Sequence, residues 1–172
     1  MSNDFFDYQL PPHLIAQHPS AERDQSRLLV VRRGSGSLAH RVFHELPELL
    51  DPGDLLILND TRVLPARLLG RRERTGGKWE GLFLRQMPDG LWELFGQTRG
   101  RLVSGEVIVV EPHGLRLEFG GRSPEGRWLF RPLATGTPLE LLGKYGHVPL
   151  PPYIRKGRAE KDDPERYQTV FA

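Results

Sequence analysis

The chain has 172 residues, enough for one ordinary domain or two small ones, and its 38% hydrophobic and 27% charged content is usual for a globular protein. It contains no cysteine, which excludes disulfides and cysteine-based metal sites. No apolar stretch approaches the ~20 residues that span a bilayer, and the first residues lack the basic and apolar regions of a secretory signal. We therefore expect a cytoplasmic protein with no membrane partner.

Arginine carries almost all of the positive charge. The formal net charge of +2 says little about partners, but just four of the 24 basic residues are lysines. The planar guanidinium of arginine suits phosphate and stacks on bases, so this composition is compatible with nucleic-acid binding. A G+C-rich genome that favours arginine codons would give the same composition, and both explanations stay open.

The first 60 residues mix helical and strand signals. Paired prolines suit a helix start, a Gly-Ser turn separates two apolar runs, and leucines recur at helical spacing. The predicted elements, in chain order, are a short helix after Pro11, a strand over 27–32, its hairpin partner over 38–43, an apolar helical face at 46–50 and a buried strand at 55–58.

From Arg62 to about Phe130, short strands alternate with turns that contain glycine or proline. Several short strands at this spacing predict a small antiparallel barrel or sandwich. The predicted strands are 79–85, 91–95, 106–110, 115–119 and 127–130. After them we expect a helix over 138–145, a rigid proline-rich segment over 149–152, a charged surface loop over 155–166 and another buried strand over 167–171.

The order of these elements predicts the fold class. α/β elements, then a β module, then a return to α/β elements indicate an α/β domain with an inserted small antiparallel β-barrel. The expected parts are 1–61 for the start of the α/β domain, 62–145 for the barrel and 146–172 for the return. Because the last predicted strand is apolar and uncapped, we expect the α/β domain to be incomplete within these residues.

Two polar clusters accompany predicted strands. Arg23, Ser26 and Arg27 stand around the start of the first strand and could contact an anion or a ribose, although a solvated turn would use the same residues. The second cluster follows the strand predicted at 55–58, and ligands of α/β sheets gather at the carboxyl ends of strands. Its members are Asn59, Asp60, Thr61, Arg62 and, five residues on, Arg67. A turn in which an Asx side chain bonds its own backbone is the alternative.

A third cluster surrounds the proline-rich segment. Three prolines in four residues hold the backbone extended and present Tyr153, and a fixed aromatic ring can stack on a nucleobase. His147 precedes this segment, and Tyr167, Gln168 and Thr169 follow it. A rigid domain linker would have the same composition.

The sequence predicts no metal site and none of the common catalytic motifs. The six histidines have no metal-ligand spacing with a nearby acidic partner. A Walker A loop, a GxSxG elbow and a GxGxxG loop after a strand are all missing, so phosphoryl transfer, serine hydrolysis and dinucleotide binding lack support.

Taken in order, the motifs resemble one family. The chain is similar to the S-adenosylmethionine:tRNA ribosyltransferase-isomerases of queuosine biosynthesis from about residue 4 to residue 172. The matching runs are FDYQLPPHLIAQHP, RDQSRLLVV, PGDLLILNDTRVLPARLLG, GGKWEGLFL, GHVPLPPYI and DDPERYQTVFA. The resemblance is loose between about 85 and 140, and the later APTAGLHF-like motif of the family does not occur in these residues.

The resemblance implies a function. Enzymes of this family transfer and isomerise the ribose of S-adenosylmethionine onto 7-aminomethyl-7-deazaguanine at the wobble position of tRNA, giving epoxyqueuosine and releasing adenine and methionine. The implied partners are therefore S-adenosylmethionine, used as a ribosyl donor without a metal, and tRNA with a queuosine-type anticodon. The resemblance also implies an α/β domain with a β-barrel domain, and we expect a monomer.

That chemistry can be compared with the candidate residues. Arg62 and Arg67 could hold ribose hydroxyls, a phosphate or the methionine carboxylate, and Tyr153 and Tyr167 could stack on a base. A base must remove a proton beside the sulfonium, and Asp60 and His147 are the candidate catalytic groups. The other candidate substrate-binding residues are Arg23, Ser26, Arg27, Asn59, Thr61, Gln168 and Thr169.

Two other functions remain open. One is a noncatalytic RNA-binding β-barrel module, and the other is a plain structural or interaction domain. Binding of S-adenosylmethionine would separate the enzyme from both, and binding of tRNA would separate the module from the structural domain.

Overall fold

The computed structural model describes residues 7–171, which form two compact units. The first unit consists of the described residues up to Asn59 together with Pro151–Arg158. The second consists of Asp60–Leu150 together with the described residues from Ala159 onward. The chain therefore leaves the first unit after Asn59 and returns to it at Pro151.

The first unit contains one β-hairpin. Strand β1 (Arg27–Arg32) pairs antiparallel with β2 (Ser37–Val42) over six residue pairs, so the predicted hairpin is confirmed. Short 3₁₀ turns make up its remaining regular structure, at Pro12–Leu14, Arg23–Gln25, Phe43–Leu49 and Arg155–Gly157. The helix predicted after Pro11 is thus a single 3₁₀ turn. The apolar helical face predicted at 46–50 lies mostly within the 3₁₀ helix Phe43–Leu49, which contains Pro47.

The predicted strand at 55–58 is wrong within the described residues. It pairs with no strand of residues 7–171, and Leu55 and Ile57 are 86% and 87% exposed. The same holds for the strand predicted at 167–171, where Val170 is 69% exposed. An apolar run becomes a buried strand only when neighbouring strands pair with its backbone and other elements cover its faces, and no described segment does either. Strand pairs in residues 7–171 are all antiparallel, so a parallel α/β sheet is not seen there.

The second unit is a closed antiparallel barrel, as the spacing of strands and turns predicts. Its strands are β3 (Arg67–Arg72), β4 (Lys78–Gln86), β5 (Trp92–Thr98), β6 (Val107–Val110), β7 (Leu115–Arg122) and β8 (Trp128–Pro132). They are hydrogen-bonded in the order β3-β4-β5-β8-β7-β6, and β6 pairs with β3 to close the barrel. Strand β3 was not among the predicted strands, because its sequence, RLLGRR, has only two apolar residues beside one glycine and three arginines.

Alternating side chains fill the barrel. Burial alternates along β6 and β7, so Ile108, Val110 and Leu117 face inward and are completely buried. All three tryptophans lie in this core, where the Trp79 and Phe130 rings pack edge to face with centroids 5.4 Å apart. The Trp128 ring fills the space over Gly96, at the position that a Cβ atom would occupy.

Helix α1 (Pro138–Tyr145) packs on the same core, and its bounds match the prediction. Thr137 caps its first turn by accepting a hydrogen bond from the backbone N–H of Glu140 at 3.3 Å, and Glu140 accepts one from the Thr137 N–H at 2.8 Å. Leu141 and Leu142 are buried. A second, four-residue helix, α2 (Asp163–Arg166), lies in the segment predicted to be a surface loop.

Two neighbouring arginines on β3 make ion pairs, one of which is buried and the other exposed to solvent. Arg72 donates from Nε and Nη2 to the two carboxylate oxygens of Glu106 at 2.6 and 2.8 Å, and its side chain is 10% exposed. Arg71 donates from Nε to Glu111 at 2.8 Å, but both side chains are about half exposed. Arg72 also donates to the backbone carbonyls of Arg99 and Arg101, so the buried pair anchors the loop between β5 and β6.

In residues 7–171 none of the helices has both the length and the apolar character required to cross a membrane.

Candidate functional site

Two side chains from the end of the described chain hold the segment that leads into the barrel. The Oε1 atom of Gln168 accepts a hydrogen bond from the backbone N–H of Val63 at 2.8 Å, and its Nε2 atom donates to the Val63 carbonyl at 2.8 Å. The Thr169 hydroxyl donates to the Thr61 carbonyl at 3.0 Å. We call these four residues the 61–63 clamp.

The clamp fixes the backbone on both sides of Arg62. The Arg62 side chain is exposed, while the residues before and after it are held by Thr169 and Gln168. A guanidinium presented from a fixed backbone loses less conformational entropy when it binds an anion. The structure therefore brings together four predicted substrate-binding residues, namely Thr61, Arg62, Gln168 and Thr169.

Arg67 and His147 lie side by side where the barrel begins and ends. Their backbones exchange two hydrogen bonds, from the Arg67 N–H to the His147 carbonyl at 3.1 Å and in the reverse direction at 2.7 Å. The guanidinium of Arg67 donates from Nε to Glu80 at 2.7 Å, and the Arg67 side chain is 18% exposed. Arg67 is thus held within the barrel wall more firmly than the sequence indicates.

The side chains of the two candidate proton-transfer groups, Asp60 and His147, make no hydrogen bond or ion pair within residues 7–171. Asp60 is exposed and His147 is half-buried. Tyr167, one of the two candidate stacking residues, follows α2 and donates its backbone N–H to the Asp163 carbonyl at 2.8 Å.

In the first unit, the Arg23 cluster forms the turn that leads into β1. The Ser26 hydroxyl donates to the Arg23 carbonyl at 2.6 Å, and the Ser26 carbonyl accepts from the Phe43 N–H at 2.8 Å. Arg23 begins a 3₁₀ turn, and Arg27 begins β1. The Ser26 hydroxyl therefore serves the turn in this structure, whereas the side chains of both arginines are exposed. Asn59 is exposed at the end of this unit's first segment.

Gln17 holds Tyr153 in place, a contact that no local sequence pattern indicated. The Gln17 side chain donates from Nε2 to the Tyr153 carbonyl at 3.1 Å and accepts at Oε1 from the Arg155 N–H at 2.7 Å. The Arg155 guanidinium returns a hydrogen bond to the Gln17 carbonyl at 2.8 Å and lies 3.3 Å from Nδ1 of His18. The Tyr153 ring remains 61% exposed. The only sequence signal for this network was the run AQHP within the family resemblance.

The backbone after Tyr153 has an unusual conformation. Arg155, Lys156 and Gly157 have φ values of 44°, 54° and 71°, so three consecutive residues are left-handed. This region costs non-glycine residues about 1–3 kcal/mol each, and such residues cluster at functional sites. The Gln17 network offsets part of this cost, and it places Tyr153 and the Arg155 guanidinium on one short turn.

Within the described part of the chain, no group of three or more His, Asp or Glu side chains is arranged to hold a metal ion. The side chains described above include exposed guanidinium groups, which can bind anions, and exposed tyrosine rings, which can stack on bases.

Comparison with known proteins gives one consistent result. The sequence model of the family described as "Queuosine biosynthesis protein" matches residues 3–172. A curated S-adenosylmethionine:tRNA ribosyltransferase-isomerase from Desulfitobacterium hafniense is 44% identical over 100% of this chain and 50% of its own length. The protein of the same name from Symbiobacterium thermophilum is 44% identical over 97% of this chain and 48% of its length.

A solved structure from Thermotoga maritima, titled S-adenosylmethionine tRNA ribosyltransferase, is 35% identical, with a TM-score of 0.38 over 82% of this chain and 48% of that one. The chain spans about half the length of the curated relatives that it matches. Because the family match extends over almost all of its residues, the chain belongs to the queuosine biosynthesis protein family, among relatives named S-adenosylmethionine:tRNA ribosyltransferase-isomerase.

Proposed function

We propose that the protein transfers and isomerises the ribose of S-adenosylmethionine onto 7-aminomethyl-7-deazaguanine at the wobble position of tRNA, giving epoxyqueuosine and releasing adenine and methionine. The observation that carries this proposal is the similarity to relatives of that name, which extends over 97% or more of the chain. S-adenosylmethionine is then a substrate, and tRNA with a queuosine-type anticodon is the other. A tRNA substrate favours action in the cytoplasm, and we propose that the protein acts there as a monomer and without a metal.

The proposal includes the fold of the protein in which these residues act. Residues 1–61 and 146–172 would belong to an α/β domain, and 62–145 to the barrel inserted in it. The exposed run at 55–58 supports this arrangement, because four consecutive apolar side chains seldom stay in water unless another element covers them. In a protein of the relatives' length, we expect this run to gain strand neighbours.

Arg62 is the residue that we propose to bind the substrate most directly. Its fork of donors suits the methionine carboxylate, a ribose diol or a phosphate, and the 61–63 clamp holds its backbone in place. Gln168 and Thr169 act through this backbone and are positioning residues. Arg67, which is bonded to Glu80, and the Arg23 cluster with Arg27, Ser26 and Asn59 are proposed as further polar contacts.

Stacking and proton transfer complete the proposal. Tyr153 and Tyr167 would stack on a base, and the Gln17 network fixes the turn that carries Tyr153. Asp60 and His147 are proposed as proton-transfer groups, because each is unengaged in residues 7–171 and accessible to solvent at least in part. The barrel and its exposed arginines would also suit a noncatalytic RNA-binding module, which would bind tRNA but not S-adenosylmethionine.

The test is the release of adenine from S-adenosylmethionine in the presence of precursor tRNA, with a protein of the relatives' length that contains this sequence. Arg62→Lys should reduce turnover about ten- to a hundredfold, because lysine keeps the charge but loses the bidentate fork, a loss of roughly 1.5–3 kcal/mol. Arg74→Lys, an exposed arginine in the turn between β3 and β4, is the matched control and should keep full activity. Equal turnover by both variants would remove Arg62 from the site, and no adenine release by the unmodified protein would contradict the proposed function.

A further inference from the structure

The outer wall of the barrel has a groove with an excess of positive charge. The groove has a volume of about 910 Å³ and runs beside β3, β4 and β5. Its lining includes the side chains of Arg71, Lys78, Glu80, Gln97, Arg99 and Glu111. None of them belongs to the 61–63 clamp or to the Gln17 network.

Pairing within the groove neutralises some of these charges but not all. Glu111 accepts from Arg71 at 2.8 Å, and Glu80 accepts from Arg67 at 2.7 Å. Both carboxylates are therefore already engaged. Within residues 7–171, Lys78 and Arg99 take part in no ion pair, so two cations remain uncompensated.

These two cations lie at the same level of the sheet. Thr98 is paired with Trp79 across β4 and β5, and its hydroxyl donates to the Lys78 carbonyl at 2.7 Å. Lys78, at the start of β4, and Arg99, just after the end of β5, each come one residue beyond that pair. Like charges opposite each other across two strands are destabilising. An anion bound between them would relieve this repulsion.

An exposed aromatic ring, Phe95, lies on β5 next to the residues that line the groove. Phe95 and Gln97 are two residues apart, so their side chains lie on the same face of the strand and about 6.6 Å apart along it. The Phe95 ring is 53% exposed, and the Arg127 guanidinium lies over it at 4.9 Å from the ring centre. Arg127 and Arg85 both approach the buried carboxylate of Glu93, at 3.6 and 2.8 Å. Glu125 also lies near these arginines, so the surface around Phe95 offers stacking rather than net charge.

We propose that Lys78, Arg99, Gln97 and Phe95, here called the β5 strip, form a surface that binds the tRNA backbone. This inference rests on the proposed function for the identity of the RNA. Two uncompensated cations complement phosphates, a carboxamide can bond a ribose or a base edge, and a ring covered by a guanidinium can stack on an unpaired base. This combination of surplus positive charge and an exposed aromatic ring is complementary to RNA and not to an anionic small molecule alone.

The experiment measures binding of a fluorescent tRNA transcript, with guanosine at its wobble position, to the 172-residue chain at several salt concentrations. The Lys78→Ala, Arg99→Ala double variant should weaken binding and reduce the slope of log K against log salt by about 0.7–0.9 for each lost phosphate contact. Phe95→Ala should weaken binding about tenfold with an unchanged slope, and Phe95→Tyr should restore the affinity. Arg131→Ala, which removes an exposed arginine from β8, is the matched control and should resemble the unmodified chain.

The outcomes separate this inference from the proposed function. The proposal that the β5 strip binds tRNA is overturned if the double variant has the unmodified affinity and slope. It is also overturned if the unmodified chain binds no tRNA at low salt. Neither result depends on adenine release, which tests the proposed function alone. Tryptophan fluorescence of each variant identifies any loss of folding. A variant that fails to fold is replaced by Lys78→Gln, Arg99→Gln or by Phe95→Leu, with the same expected results.

Discussion

Replacing Glu106 by Gln tests how much the buried ion pair inside the barrel contributes to stability. Glu106 accepts two hydrogen bonds from the Arg72 guanidinium, at 2.6 and 2.8 Å, and one from the Val103 N–H at 3.2 Å. Glutamine has the same shape but carries no charge and turns one acceptor oxygen into a donor. The variant would leave the Arg72 cation buried, with an N–H group facing another N–H group.

The expected loss can be estimated from burial. The Arg72 and Glu106 side chains are only 10% and 5% exposed, and removal of one partner from such a pair destabilises a protein by about 3–5 kcal/mol. Because the amide oxygen of the introduced glutamine can still accept one hydrogen bond, we expect about 3 kcal/mol, near the lower limit. Glu111→Gln is the matched control. Its partner Arg71 is the neighbouring residue on β3, but both side chains are about half exposed, so the loss should be below about 1 kcal/mol.

Tryptophan fluorescence during urea unfolding is a suitable assay, because all three tryptophans lie in the barrel core. For a chain of this size, about 3 kcal/mol also corresponds to a fall in Tm of roughly 6–12 °C. The reasoning would be refuted if Glu106→Gln lowered the free energy of unfolding no more than Glu111→Gln does.

Two further predictions concern the barrel. The hydrogen bonds from Arg72 hold the pKa of Glu106 below the ordinary glutamate value. The resulting stabilisation should therefore be complete above about pH 4.3 and be lost as the pH falls further. Urea unfolding between pH 7 and 3 should show that the free energy of unfolding falls more steeply with acid for the unmodified chain than for Glu106→Gln. Gly96→Ala should lower the unfolding midpoint clearly, because its Cβ would overlap the buried Trp128 ring, whereas Gly143→Ala, where nothing lies within 4 Å of the new atom, should not. Equal midpoints for the two glycine variants would contradict the close approach of Trp128.

Local patterns in the sequence were sufficient to predict the barrel. Alternating burial along β7 follows the alternation of apolar and polar residues in the sequence, and the turns between strands contain glycine or proline. Helix α1 was predicted with its observed bounds because proline at its first position marks its start. In contrast, β3 was missed because arginines outnumber apolar residues near its ends, although its inward side chains are buried once β4 and β6 pair with it.

The candidate site depended more on distant contacts. Gln168 and Val63 are 105 residues apart, and no local signal indicates that a glutamine side chain will pair with a backbone so far away. The network of Gln17 and Arg155 joins residues 138 apart, and no local signal indicates it for the same reason. The strand predicted at 55–58 was wrong for a different reason. These residues have the composition of a buried strand, but composition alone does not supply the neighbouring strands that would bury them.

The backbone pair between Arg67 and His147 also affects how the barrel can be connected. Residues that exchange both hydrogen bonds in an antiparallel pair have Cα atoms about 5.5 Å apart, so the start of β3 and His147, two residues after the end of α1, are neighbours. A peptide of two or three residues could bridge that distance. The barrel is therefore a candidate for circular permutation, in which the old ends are joined and the chain is opened at the turn around Gly114. For the same reason, we expect that the barrel could be exchanged for a related barrel from another family member.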